Sequence, residues 1–151
     1  MHPGTRTDRR AFRYPPLSMA ESTKSVLIVE DEAAIRNLVC SVLSPRYQVF
    51  QAPDAEHALR AFDGTSRLDL LLTDVVMPGM DGFALADHLR ADHPDLQIVF
   101  ISGFFSTAEF QNRVHRYGAQ FLRKPFSIPA LLAIVDRTLG TQGGDRLRHA
   151  T

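Results

Sequence analysis

The sequence predicts an α/β fold: a doubly wound sheet of five parallel strands with helices on both faces. The first observation is a strict alternation between residues 24 and 140. Short apolar segments rich in β-branched residues are followed by segments with helical hydrophobic spacing. Such alternation is typical of a parallel sheet covered by crossover helices. The second observation is that four apolar segments end in, or lead into, polar residues, as strands do where an open α/β sheet binds its ligand.

The first half of this region contains three predicted strands and two predicted helices. Val26–Val29 is too short and too β-branched for a helix. A helix that starts at Glu32 has apolar residues at helical spacing and ends at Ser44-Pro45. Asp54 can cap a second helix, which stops at Asp63-Gly64. The other two strands are Tyr47–Gln51 and Leu68–Thr73.

The second half contains two more strands and three helices with recognisable ends. Asp81 can cap a helix that His93-Pro94 terminates, and Thr107–Tyr117 forms a helix that stops at Gly118. Ser127 caps the last helix. The strands are Leu96–Ile101 and Ala119–Leu122. The residues predicted to face inward are Phe83, Leu85, Ala86 and Leu89 on the first of these helices, and Ile128, Leu131, Leu132, Val135 and Leu139 on the last.

Right-handed crossovers leave few strand orders for five such units. The flavodoxin-like (βα)5 order 2-1-3-4-5 is favoured, because strands 1 and 3 are then neighbours. In that order Glu30 and Asp31 face Asp74 across the switch point of the sheet.

Composition and charge narrow the function. The chain has 151 residues, enough for one domain with tails, and its 44% hydrophobic and 23% charged residues indicate a packed soluble domain. A formal net charge of zero argues against direct binding of nucleic acid or a membrane surface. No apolar run approaches the roughly 20 residues that span a bilayer. The single cysteine, Cys40, fits a reducing cytoplasm and is expected to be a packed small side chain.

The two ends differ from the middle. Residues 1–23 combine arginines with prolines and lack hydrophobic periodicity, so we expect a disordered extension before a possible true start at Met19. A basic arm that touches nucleic acid is the alternative. Residues 24–140 form the predicted domain, and the Gly-rich residues 141–151 are expected to be a flexible tail.

The polar residues at the strand ends suit phosphoryl transfer. Glu30, Asp31 and Asp74 would crowd three carboxylates at one edge, which favours a hard cation such as Mg²⁺. Asp74 could act as a nucleophile, with the Lys124 ammonium neutralising phosphoryl charge and the Ser102 hydroxyl donating a hydrogen bond to a phosphoryl oxygen. Each of these features alone is common in turns and helix caps, but their joint occurrence at successive strand ends indicates a site.

These residues lie in four motifs that, as a set, resemble receiver domains of two-component response regulators. The similarity extends over nearly all of the region from Lys24 to Gly140. The motifs are Val26–Arg36 (VLIVEDEAAIR), Leu71–Gly82 (LLTDVVMPGMDG), Ile101-Ser102-Gly103 and Phe121–Phe126 (FLRKPF).

The resemblance implies a role for each matching position. Asp74 would be the phosphoacceptor, which takes its phosphoryl group from a kinase phosphohistidine. Asp31 would bind Mg²⁺ directly, Glu30 through water, and Val76 through its main-chain carbonyl. Ser102 would be the switch hydroxyl and Phe121 the switch aromatic, while Lys124 would pair with the phosphoryl group. The bond between Lys124 and Pro125 is typically cis in this family.

The sequence departs from the commonest receiver pattern at positions that affect the rate of dephosphorylation and the output of the switch more than the identity of the domain. Glu30 stands where Asp is more frequent, and Phe121 lacks the hydroxyl of the usual Tyr, so its switch would depend on packing. Val76 and Phe104 are apolar at positions that influence hydrolysis of the acyl-phosphate in the family. We therefore predict slow self-dephosphorylation.

The resemblance also implies partners. Phosphorylation is expected to alter a face made of the fourth helix, fifth strand and fifth helix, near which Phe104, Phe105 and Phe110 lie. A downstream protein or a second copy would bind there, and a histidine kinase or histidine phosphotransfer protein would supply the phosphoryl group. No output domain follows Gly140 in this sequence, so a stand-alone receiver and one from a hybrid kinase are both compatible, and a transcription factor is disfavoured.

Two rival functions remain. A phosphohydrolase of the haloacid dehalogenase type would need an acid two residues after its nucleophile, where this chain has Val76. A phosphorylation-independent scaffold would not need all five polar positions to be filled.

Overall fold

A computed structural model of the protein describes residues 23–62, 66–103 and 107–140. The predictions for residues 1–22, Asp63-Gly64, Phe104, Phe105 and residues 141–151 lie outside these ranges. In the described part of the chain, no helix is both long and apolar enough to cross a membrane. The elements, in chain order, are β1 (Ser25–Val29), α1 (Ala33–Leu43), β2 (Gln48–Ala52), α2 (Ala55–Ala61), β3 (Leu70–Asp74), α3 (Gly82–Asp92), β4 (Gln97–Ser102), α4 (Ala108–Arg116), β5 (Gln120–Arg123) and α5 (Ile128–Leu139).

The five strands form one parallel sheet in the order β2-β1-β3-β4-β5. This confirms the predicted flavodoxin-like topology. The register pairs Val29 with Thr73 and Asp74 with Ile101, so the carboxyl ends of β1, β3 and β4 lie side by side. Residues that follow these strands are thereby brought to one edge of the sheet.

Side-chain caps hold the starts of four helices, and three of these caps, Asp54, Asp81 and Ser127, were predicted from the sequence. The side chains of Asp54, Asp81, Thr107 and Ser127 each accept a hydrogen bond from the backbone N–H three residues later. These bonds satisfy amide groups that have no partner within the helix. Local sequence therefore determines where α2, α3, α4 and α5 begin.

The core consists of two layers, one on each face of the sheet, because successive strand residues point to opposite faces. Leu27, Leu71 and Phe100 belong to the first layer, whose helices are α2, α3 and α4. Leu72 belongs to the second, which α1 and α5 cover. Cys40 packs against this second layer, as expected, and burial raises the pKa of its thiol.

One predicted core position is wrong. Ile128 was expected to face inward, but 44% of its surface is exposed. It is the first residue of α5, so it lies at the end of the inward-facing stripe and not within it. Leu131, Ile134 and Val135 form the buried part of that stripe.

Strand boundaries differ from the predictions by one or two residues. Tyr47 was predicted to open β2, but its N–H donates to Leu43 O and closes the turn after α1. Leu68 is buried although it lies two residues before β3 begins. The apolar side chains of Tyr47 and Leu68 suggested both boundaries, whereas the ends of a strand are set by its backbone hydrogen bonds to the neighbouring strand.

Candidate functional site

Asp74 is the last residue of β3 and only 5% of its surface is exposed. The chain turns directly after it, and the Gly82 N–H returns to donate a 2.9 Å hydrogen bond to Val75 O. A Cβ atom on Gly82 would lie 2.4 Å from the Asp74 carbonyl oxygen, which is closer than real contacts allow. The lack of a side chain at Gly82 is therefore what allows α3 to start against the backbone of the Asp74 turn.

Three carboxylates meet beside this turn. Glu30 and Asp31 follow β1, the neighbour of β3, and one oxygen from each of Glu30, Asp31 and Asp74 lies within 4.8 Å of the other two. Glu30 and Asp74 are buried, whereas Asp31 is exposed. The predicted convergence of these acids is confirmed by the geometry.

Lys124, the first residue after β5, places its ammonium group between two of the acids. Its Nζ lies 2.9 Å from Glu30 Oε1 and 3.0 Å from Asp74 Oδ2. The bond to Pro125 is cis, as the resemblance implied. One cation therefore serves two buried carboxylates.

The pKa values of Glu30, Asp74 and Lys124 are all raised, in keeping with two buried carboxylates that share one ammonium group. Burial is the main cause that raises the pKa of Asp74, and the charge of Asp31 adds to it, while Lys124 opposes both. Burial likewise raises the pKa of Glu30. Burial alone would lower the pKa of Lys124, but its bonds to Glu30 and Asp74 outweigh that effect and raise it.

The donor set fits a divalent cation with hard oxygen ligands. Glu30 Oε2 accepts the Glu32 N–H at 3.0 Å, but the buried Glu30 Oε1 has no well-oriented hydrogen bond from any described group and is held only by the charge of Lys124. Carboxylates without imidazole or thiolate suit Mg²⁺, Mn²⁺ or Ca²⁺. A cation here would relieve the repulsion among the three acids.

The structure also places the other predicted residues. Ser102 ends β4 and is 2% exposed, next to the register partner of Asp74, and its carbonyl accepts the Lys124 N–H at 3.0 Å. The side chain of Val76 is 61% exposed at the rim. Phe121, on β5, is half-buried, and its ring centroid lies 5.5 Å from that of Phe110.

Two residues that support the site were not singled out from the sequence. Arg36 Nη1 donates to Glu30 O at 2.7 Å, which connects α1 to the acidic loop. Thr73 Oγ1 donates to Asp74 O at 2.8 Å. Arg36 lies six residues after Glu30, in the first turn of α1. The only local signals for its contact with Glu30 were the acidic run and the start of a helix directly after it.

Phe121 belongs to a wider aromatic cluster that the sequence did not reveal. The ring of Phe83 lies 4.7 Å from that of Phe100, 5.7 Å from Phe110 and 5.6 Å from Tyr117. The contacts between Phe83, Phe110 and Phe121 connect α3 to β5 through α4.

Known proteins resemble this chain in sequence and in fold. Residues 26–136 match the response regulator receiver domain family. The chain is 38% identical over 120 residues to the sensor kinase CckA of Brucella abortus, over 78% of this chain. It is 32% identical over 117 residues to the response regulator receiver protein CpdR of the same organism, over 77% of this chain and 97% of CpdR. The solved chemotaxis protein CheY4 of Vibrio cholerae superimposes with a TM-score of 0.70 at 30% identity, over 78% of this chain and 100% of CheY4.

The matches differ in how much of each relative they cover. The chain spans 13% of the length of CckA and 24 to 26% of three other curated regulators. The similarity therefore concerns one domain of these proteins.

Proposed function

The chain belongs to the response regulator receiver domain family, and from this we propose that Asp74 accepts a phosphoryl group from the phosphohistidine of a histidine kinase or histidine phosphotransfer protein. The observation that carries the proposal is the position of Asp74, a buried carboxylate with an ammonium group at 3.0 Å and two further acids within 4.8 Å. Receiver domains are in general switches and not enzymes, so turnover of an external substrate is not part of the proposal.

Glu30, Asp31 and Asp74, with the main-chain carbonyl of Val76, would hold Mg²⁺. When bound, the ion would offset negative charge on the acids and on the incoming phosphoryl oxygens. The buried Glu30 Oε1, which has the Lys124 ammonium at 2.9 Å but no well-oriented hydrogen bond from the described residues, and the close approach of the three acids support this assignment.

In the transfer, an oxygen of Asp74 attacks phosphorus while the bond from phosphorus to the histidine nitrogen of the donor breaks, and the electron pair of that bond stays with the nitrogen. An ionised carboxylate needs no general base for this attack. The Lys124 ammonium, which contacts the Asp74 carboxylate before the transfer, would contact the phosphoryl oxygens after it. The Ser102 hydroxyl would donate a hydrogen bond to one of these oxygens.

The readout we propose is a change of protein contacts. Movement of Ser102 toward the phosphoryl group would allow Phe121 to repack against Phe110, which alters the surface formed by α4, β5 and α5. A downstream protein or a second copy would bind that surface, in the cytoplasm. Similarity to CpdR over 97% of its length is compatible with a stand-alone receiver, and similarity to the receiver domain of the hybrid histidine kinase CckA is compatible with descent from a hybrid kinase.

The test is intact-mass spectrometry after incubation with acetyl phosphate or phosphoramidate. Wild-type protein with Mg²⁺ should gain the mass of one phosphoryl group, and Asp74→Asn or wild type in EDTA should gain none. Asp95→Asn removes the charge of an exposed acid remote from the site and should be labelled like wild type.

Two other outcomes would replace the proposal. Repeated release of phosphate from a generic phosphate ester would indicate a phosphohydrolase. Failure of labelling with small donors and with several active histidine kinases would instead indicate a scaffold that does not depend on phosphorylation.

A further inference from the structure

A polar cavity of about 380 Å³ lies between α3 and α4, and none of the acidic-site residues lines it. We name it the arginine cavity. Its lining residues are Asp87 and Arg90 of α3, Arg113 and Arg116 of α4, and Tyr117, which follows α4.

The arginine cavity has an excess of positive charge. Three guanidinium groups face one carboxylate, and within residues 23–62, 66–103 and 107–140 none of the three arginines forms an ion pair. Arg90, Arg113 and Arg116 are all in the last turns of their helices, where the helix dipole favours a cation. The dipole accounts for the position of each charge, but it does not account for the convergence of three on one cavity.

Two of the guanidinium groups are held in place by the fold. Arg90 donates from Nε and Nη2 to Leu96 O at 3.2 and 3.0 Å, which leaves its other N–H groups unused by that carbonyl. The guanidinium carbon of Arg113 lies 4.1 Å from the centroid of the Phe83 ring. Groups already ordered in this way lose little side-chain entropy when they bind a ligand.

Guanidinium groups recognise oxyanions with two or more acceptor oxygens, because their N–H donors form a planar fork. The volume lies within the range for small-molecule sites. We propose that the arginine cavity binds a small oxyanion with at least two negative charges, with compounds of the pyrophosphate type as the best match. The negative charge of such a ligand would offset the positive charge of the three arginines that Asp87 does not balance.

The experiment is a titration of ¹⁵N-labelled full-length protein followed by amide resonances, in EDTA without Mg²⁺ and at about 0.15 M salt to screen weak charge contacts. Pyrophosphate, ATP and citrate are added separately. Saturable shifts confined to the C-terminal turns of α3 and α4, with a Kd below about 1 mM, would support the proposal. Tighter binding of ATP than of pyrophosphate would assign the ligand to nucleotides, and equal binding of citrate would extend the class to polycarboxylates.

Matched variants locate the site. Arg116→Gln removes an exposed cavity cation and should weaken pyrophosphate binding about tenfold, the value of one charge-assisted hydrogen bond. Arg137→Gln removes the same charge from the last turn of α5, outside the cavity, and should leave binding unchanged. The proposal is overturned if no probe gives saturable shifts up to about 10 mM, or if Arg116→Gln binds as tightly as wild type.

Discussion

Asp74→Asn should make the metal-free protein more stable at neutral pH, although it removes the carboxylate that would accept the phosphoryl group. The variant keeps the size and shape of the side chain and deletes one of three crowded charges. Because burial raises the pKa of Asp74, its ionised form is the unfavourable one in the folded state.

The magnitude follows from the distances in the site. At an effective dielectric constant of about 20, the attraction between Asp74 and Lys124 at 3.0 Å is about 5.5 kcal/mol, and a repulsion at 4.8 Å, the upper limit of the separations among the acids, is about 3.5 kcal/mol. Repulsion from Glu30 and Asp31 therefore exceeds the attraction by about 1.5 kcal/mol. Water screens the exposed Asp31 and so weakens its repulsion of Asp74. Desolvation of the ionised Asp74 adds to the cost of its charge. We therefore expect Asp74→Asn to raise the free energy of unfolding by about 1 to 2 kcal/mol.

The assay is urea unfolding in EDTA at low ionic strength, comparing wild type, Asp74→Asn and Asp95→Asn. Asp95 is exposed, so its variant should stay within about 0.5 kcal/mol of wild type. Excess Mg²⁺ should narrow or reverse the gap between Asp74→Asn and wild type, because an ion that binds only the folded wild type stabilises it by mass action.

The pH dependence gives a second check. The folded-state pKa of Asp74 is raised, so wild-type stability falls as pH increases from the ordinary carboxyl value of about 4 through the raised value. Asparagine does not titrate, so the advantage of Asp74→Asn should be absent at low pH and should grow across that window. A variant less stable than wild type in EDTA at pH 7 would refute the reasoning, since the Lys124 pair would then dominate the site.

Three further predictions concern neighbouring features. Lys124→Met leaves two buried carboxylates without their cation and should lower the free energy of unfolding of the metal-free protein by about 3 kcal/mol. Mg²⁺ should restore the lost stability. Unchanged stability in EDTA would contradict this prediction. The Tyr47 hydroxyl donates to the buried Asp136, so Tyr47→Phe should cost about 1 to 2 kcal/mol in urea unfolding while labelling of Asp74 stays normal, and a loss below about 0.5 kcal/mol would count against that bond. Wild-type phosphoprotein should lose its phosphoryl group slowly, and Val76→Gln, whose amide can orient water at the exposed rim, should shorten the half-life measured by mass spectrometry; a wild-type half-life of seconds would contradict this reasoning.

The acidic site was largely predictable because its information is local. Glu30, Asp31 and Asp74 come directly after, or at the end of, short apolar segments, and the alternation of strands and helices places those segments side by side. The helix starts were predictable for a similar reason, since a capping side chain bonds an amide only three residues away.

The remaining features depend on contacts that no local pattern contains. The arginine cavity needs Arg90 and Arg113 to meet from two helices, and the approach of the Arg90 guanidinium to within 6.0 Å of the Tyr117 ring centroid follows from how α3 and α4 pack. Ile128 fitted the helical spacing of α5, but spacing does not indicate how far along a helix the sheet extends. Packing distances, and not hydrophobic periods, decide such positions.

The close approach at Gly82 has a consequence for any screen that scores every substitution by signalling output. Even alanine there would push against the Asp74 carbonyl oxygen, so the position should tolerate almost nothing and should rank with the acids themselves. Gly82 has no functional group, and its intolerance would record only the space that the turn after Asp74 occupies. Sensitivity to mutation at this edge of the sheet thus has two origins, chemistry and steric exclusion. A screen that adds folded-protein abundance as a second score should separate them, because Gly82 variants would lose both quantities whereas Asp74→Asn would lose signalling alone.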